Sequence, residues 1–134
     1  MLPRFLLDTH IVVRGLIDTK KLSREQARIL AGAVRRAEPL ALSCISLLEI
    51  AVLVSNGKLR LKRPLAEFFA ELQGNPVFSV LPLTYDVASE AAALGDSLRD
   101  PADRAIVATA RVYRLRLVTS DQRIIASQLV PVTE

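Results

Sequence analysis

One cysteine, one histidine, one methionine and no tryptophan stand in a chain of 134 residues. Each scarcity removes a class of protein. A single thiol, Cys44, excludes a disulfide framework and any cysteine-based zinc centre, and its apolar setting (Leu42-Ser43-Cys44-Ile45) reads as an inert buried thiol. With His10 alone, histidine-rich metal sites are excluded too. Five glycines form no glycine-rich phosphate loop, which argues against a nucleotide kinase. The longest apolar stretch, Ile45 to Val54, is broken by Ser46 and Glu49 and is too short to span a bilayer. The start of the chain lacks the long apolar region and cleavage site of a signal peptide. A cytoplasmic, reducing compartment with no membrane contact is the expectation.

What is present is globular. Hydrophobic residues make up 51% and charged residues 24%, enough for one domain over 1–134 with a real core. The net charge is +4, and its distribution is uneven. All four lysines lie at or before Lys62, while Asp86, Glu90, Asp96, Asp100 and Asp103 gather within 18 residues. Acids concentrated in a basic protein fit a metal centre handling a phosphodiester, and equally fit solvated helix faces.

Asp100-Pro101-Ala102-Asp103-Arg104 followed by Ala105 to Ala110 predicts a helix with Asp100 as N-cap, Pro101 at N1 and Asp103 at N3. The apolar run predicts burial on more than one side. Arg104, a cation in the first turn, opposes the helix dipole and calls for something anionic in compensation, such as neighbouring carboxylates or a bound phosphate. Other helices are expected from Ile11 to Ile17, from a Ser23 cap to Glu38-Pro39, from a Ser46 cap over 47–55, from Pro64 to Leu72, from a Thr84 cap, and briefly after Asp121. Strands are expected at 4–7, 40–44, 77–83 and 115–120, with an edge strand over 129–132. Strands alternating with helices predict an α/β fold with a mainly parallel sheet between helical layers.

In such folds ligands bind beyond the carboxyl ends of the strands. Asp8 and Asp121 fall at strand-to-helix junctions, Glu49 one turn into its helix, and Asp103 in a first turn. Asp8 and Asp121 also read as N-caps, and Asp103 as a dipole partner. Glu49, inside Leu47-Leu48-Glu49-Ile50-Ala51, would be costly to bury as an ion without a partner. Converging carboxylates are the donor set for a hard divalent cation such as Mg²⁺ or Mn²⁺, which can activate water for phosphoryl displacement. His10 reads as a structural neighbour of that site rather than a ligand.

The segments Leu6-Leu7-Asp8-Thr9-His10, Ser43 to Ala51, Asp100 to Ala110 and Leu117 to Asp121, in that order and spacing, resemble the PIN-domain ribonucleases. Within that family they are similar to the VapC-type toxins of bacterial toxin–antitoxin pairs. The resemblance implies a PIN-like three-layer fold and a Mg²⁺- or Mn²⁺-dependent endoribonuclease. Asp8, Glu49, Asp103 and Asp121 match the family's acidic quartet, Thr9 and Ser120 would be supporting hydroxyls, and Asp100 an N-cap first and a water-mediated ligand second. Arg104 would pair with the acids or touch phosphate. The resemblance further implies an RNA substrate, a cognate antitoxin and a homodimer. The helices over 23–37 and 47–72 offer apolar and basic surface for partners, and Lys58, Arg60, Lys62 and Arg63 are candidates for RNA backbone contacts. A phosphatase of the haloacid-dehalogenase type would want a second acid where His10 stands, and a receiver domain a late lysine. The remaining alternative is a catalytically silent PIN domain that binds RNA or protein.

Overall fold

The computed structural model describes residues 2–134. Five strands, β1 (Phe5–Leu7), β2 (Leu40–Ser43), β3 (Phe78–Leu81), β4 (Arg116–Val118) and β5 (Val132–Thr133), form one sheet in the order β3-β2-β1-β4-β5. Every pairing is parallel, with Leu6 opposite both Ala41 and Leu117. The connections carry α1 (Thr9–Ile17), a 3₁₀ turn (Thr19–Lys21), α2 (Arg24–Arg36), α3 (Cys44–Ser55), α4 (Leu65–Gly74), α5 (Tyr85–Ala93), α6 (Pro101–Tyr113) and α7 (Gln122–Ser127).

Strand alternation divides the core in two. Leu6, Ala41 and Leu117 point to one face and meet Ile106, Val107 and Ala110 of α6 and Ile124 of α7. Leu7, Leu40, Leu42 and Val118 point to the other and meet Ile11 and Val12 of α1, Ile29 and Ala33 of α2, Ile50 of α3 and Phe68 and Leu72 of α4. The result is the expected helix–sheet–helix sandwich, with the sheet wholly rather than mainly parallel. As expected, α6 is buried continuously from Ala105 to Ala110.

Most helix starts follow their capping chemistry. Ser23 and Gln26 form a reciprocal capping box on α2, Thr84 caps α5, and Asp100 caps α6 with Pro101 in its first turn. Several boundaries differ from the sequence expectation. The third strand is trimmed to 78–81 and the fourth to 116–118, while the last is displaced to 132–133. α1 begins at Thr9 rather than Ile11. α3 begins at Cys44, because Ser43 rather than Ser46 is its cap and accepts the Ile45 N–H at 3.1 Å. That leaves Cys44 half-buried on the first turn rather than in a strand interior.

β1 continues to β2 and β3 on one side, whereas β4 and β5 lie on its other side. The chain order reverses between β1 and β4, so helices leave their carboxyl ends toward opposite faces and open a crevice there. Asp8 follows β1 directly, and Thr119 to Asp121 follow β4. The fold has brought the two ends of the chain to one place.

Candidate active site

The crevice is built around Asp8, which is 4% exposed. Its Oδ1 accepts the Thr9 N–H at 2.8 Å, capping α1, and its Oδ2 accepts the Thr119 hydroxyl at 2.7 Å. Thr119 Oγ1 also accepts the Asp121 N–H at 3.0 Å, so one buried hydroxyl ties two acids from opposite ends of the chain. Asp121 in turn caps α7 through the Arg123 N–H at 2.9 Å. The N-cap and site readings of Asp8 and Asp121 are therefore compatible: capping turns each carboxylate toward the crevice.

A second chain of hydroxyls reaches Glu49. Thr9 Oγ1 donates to Glu49 Oε1 at 2.5 Å and lies 2.8 Å from Ser46 Oγ. A threonine has one hydroxyl proton, so with it committed to Glu49, Ser46 is the donor to Thr9. His10 supports the same corner. Its Nε2 accepts the Ser120 N–H at 2.9 Å, which leaves the proton of the neutral ring on Nδ1, 3.6 Å from Asp8 Oδ2. Burial holds the His10 pKa below its ordinary value; Asp8 pulls it up and Arg14 pushes it further down. The Ser120 hydroxyl accepts from Gln26 Nε2 at 2.8 Å, and Gln26, 1% exposed, is itself fixed by the α2 capping box.

Asp103 completes the group from α6. Its N–H donates to Asp100 Oδ1 at 3.0 Å, and its side chain enters the crevice, where Oδ2 is buried with no hydrogen-bond partner. Burial and then Asp100, Asp8 and Asp121 push its pKa from 3.8 up to about 7, against a smaller pull from Arg123. Glu49 is raised by burial and by Asp8 and Asp100, with the Thr9 hydroxyl opposing. Asp121 behaves differently. Burial pushes it up, but the side chain and N–H of Arg123 and the Ile124 N–H outweigh that, and it lies below the usual range. Arg123, 74% exposed, reaches Asp121 Oδ2 at 3.3 Å and Asp103 Oδ2 at 3.7 Å.

The acids of the crevice thus feel one another, and the donors they offer are all oxygens. An all-oxygen carboxylate set with one buried oxygen that no hydrogen bond satisfies fits a hard divalent cation better than zinc or copper. The side chains approach a shared space without closing on it: among the described residues no three His, Cys, Asp or Glu form a finished chelating cluster.

Several expectations change here. Arg104 neither pairs with the acids nor faces the crevice. Its guanidinium donates to the backbone carbonyls of Leu98 and Ala91, each at 2.6 Å, and to that of Gly95. Its compensation is the unpaired carbonyl end of α5 and the loop beyond it, which needs a cation as much as the start of α6 does not. Glu49 is not enclosed by α3 either. Only Ser46 and Ile50 of that helix are fully buried, while Leu48 and Val52 are 58% and 47% exposed. The Ser120 hydroxyl bonds Gln26 rather than a carboxylate.

Four contributors escaped the sequence reading: Thr119, Ser46, Gln26 and Arg123. Thr119 and Arg123 flank Asp121, so their proximity was visible in the local sequence, though not their partners. Lys58, Arg60 and Lys62 lie on the exposed α3–α4 loop, and Arg63 pairs with Glu71. That loop packs near Leu16 and Ile17, at the far end of α1 from Asp8.

The sandwich, the crevice and its acids define an α/β protein with carboxylates gathered at a strand switch point. Residues 5–127 match the family model of the PIN domain, and the chain belongs to the PIN-domain family. It is 33% identical over 120 residues to ribonuclease VapC22 of Mycobacterium tuberculosis, covering 89% of this chain and 88% of that protein. Its fold is similar to that of FitAcB from Neisseria gonorrhoeae (22% identity, 97% and 96% of the two chains, TM-score 0.72). It is also similar to VapBC2 from Rickettsia felis, solved with a fragment of promoter DNA (16% identity, 96% of each chain, TM-score 0.72).

Proposed function

We propose that this chain is a VapC-type endoribonuclease that depends on Mg²⁺ or Mn²⁺, held by Asp8, Glu49, Asp103 and Asp121. The observation that carries the reading is the buried Asp103 Oδ2 beside the other acids, which has no hydrogen-bond partner and only the Arg123 guanidinium at 3.7 Å. An apolar pocket would leave such a carboxyl neutral, whereas a hard cation gives it a reason to be there. Kinship with a ribonuclease over nearly the whole chain supports the same assignment. When bound, the cation would supply a water of lowered pKa and a counter-charge for the leaving oxygen.

The protein's own groups have separate tasks. Thr119 fixes the Asp8 carboxylate and, through the Asp121 N–H, the start of α7. Thr9 and Ser46 aim Glu49, which would orient the attacking water. His10 and Ser120 hold the β4 end against α1, and Asp100 caps α6 so that Asp103 enters the crevice. Asp100 keeps its second role, a water-mediated contact to the cation. We extend the VapC resemblance to a cognate antitoxin, a homodimer, a cytoplasmic location and a single domain over 1–134.

Growth after induced expression, comparing wild type with Asp103→Asn at matched protein levels, tests the reading without a guess at the RNA target. Arrest by wild type, relieved in the variant, is expected, with Mg²⁺- or Mn²⁺-dependent cleavage of total RNA by purified wild type. Equal arrest by both proteins overturns the role of Asp103. Metal-independent RNA binding without cleavage favours the silent PIN domain.

A further inference from the structure

Arg123 is the one described cation in ion-pair reach of Asp103 and Asp121 together. Its hold on them is loose. Nε and Nη2 face the two Asp121 oxygens at 3.4 and 3.3 Å, and Nη2 stands 3.7 Å from Asp103 Oδ2, which makes no hydrogen bond at all. A strong arginine–carboxylate fork closes to about 2.8 Å on both arms. The side chain is 74% exposed on the short helix α7, so nothing packs it in place. By contrast Arg104, whose guanidinium donates to three carbonyls, is committed to structure.

We propose that Arg123 is a displaceable counter-ion: it lies across Asp103 and Asp121 in the metal-free protein, and a divalent cation at those carboxylates drives it out to grip a phosphate of the RNA. This rests on the metal-dependent reading above. A guanidinium and a dication both satisfy the paired acids, but they cannot share the same oxygens at close range without like-charge repulsion. Once released, an exposed, always-charged fork at the rim of the crevice suits a phosphodiester, which it can meet bidentately. One residue then couples two events: metal entry frees the substrate-binding cation, and the empty acids are shielded while no metal is present.

Two measurements test this on the full-length protein. The first is calorimetric titration with Mn²⁺ alone for wild type, Arg123→Gln and Arg123→Lys. Loss of a unit charge within several ångströms of the dication raises Mn²⁺ affinity roughly tenfold in Arg123→Gln. Arg123→Lys, with its charge kept and its fork removed, is expected to fall between. The second is cleavage of a substrate RNA at saturating Mn²⁺, where Arg123→Gln is expected to raise KM about tenfold with kcat within about threefold of wild type. Unchanged or weaker Mn²⁺ binding by Arg123→Gln overturns the displacement, and an unchanged KM overturns the phosphate grip. If wild type binds no Mn²⁺, the metal-dependent reading itself fails and this inference with it. Wild-type binding with no response to Arg123→Gln removes this inference alone.

Discussion

A carboxyl group surrounded by other acids and withdrawn from water keeps its proton longer than one on a surface, and Asp103 is raised to about 7 for that reason. In the folded chain its neutral form persists up to about pH 7, so folding takes up a proton between its ordinary value of 3.8 and about 7. The stability contributed is fully present below 3.8 and is lost as pH rises through about 7. Asp103→Asn keeps the shape without the charge. In chelator-treated protein we expect the variant to melt a few degrees above wild type at about pH 8 and no higher at about pH 5, as read by calorimetric melts. A gap independent of pH would discard the electrostatic account. Thr119 offers the complementary test. Thr119→Val strips the hydroxyl from Asp8 Oδ2 and from the Asp121 N–H. We expect a loss of about 1 to 3 kcal/mol in denaturant unfolding and, on the proposed reading, roughly a 10- to 100-fold fall in RNA cleavage, since it orients the Asp8 carboxylate without touching substrate.

Helix ends explain both the successes and the errors of reading this chain from its sequence. Asp100, Ser23 and Thr84 announce helix starts because the cap and the N–H it accepts are three residues apart. Arg104 announces only that something is wrong: its partners are carbonyls of 91, 95 and 98, and a carbonyl has no residue-type signature. Ser43 and Ser46 are equivalent on paper; choosing between them requires knowing that Thr9, 37 positions away, receives the second. The acids of the quartet were legible because strand-end carboxylates are local features, whereas Gln26 and Thr119 act across 94 and 111 positions. From the reassignment of Arg104, Arg104→Ala is expected to destabilise the α5–α6 unit by about 2 to 3 kcal/mol in chemical unfolding. Metal affinity and turnover per folded molecule should remain at wild-type levels. A folded variant with abolished turnover would return Arg104 to the site.

The charge distribution acts over the whole molecule. The nine residues of α1 separate the acidic crevice from the α3–α4 loop by about 13 Å, about two nucleotides of extended RNA. Replacing Lys58, Arg60 and Lys62 together by Gln is expected to weaken RNA binding and to reduce the slope of log affinity against log salt by about 2. Filter binding across a salt series reads both, and kcat at saturating RNA should be unchanged. An unaltered slope would make that loop an ordinary solvated turn. The helix-on-both-faces architecture was legible because buried runs alternated with amphipathic helices. The position of the basic loop relative to the acids was not, since it depends on which end of α1 the loop packs against.

The pairing of β1 with β4, and of Asp8 with Thr119, also places the working centre in time. A ribosome has made Asp8 and Glu49 long before it reaches Thr119 and Asp121, and until then the first strand lacks the neighbour that completes its crevice. The partial chain holds most of the hydrophobic material and three of the four acids, yet it lacks Asp121 and the Thr119 hydroxyl that fixes Asp8. On the proposed reading, activity would therefore arrive late and all at once, after about the last seventh of the sequence had begun to pair. A chain interrupted before β4 would be expected to be harmless to the cell that is making it.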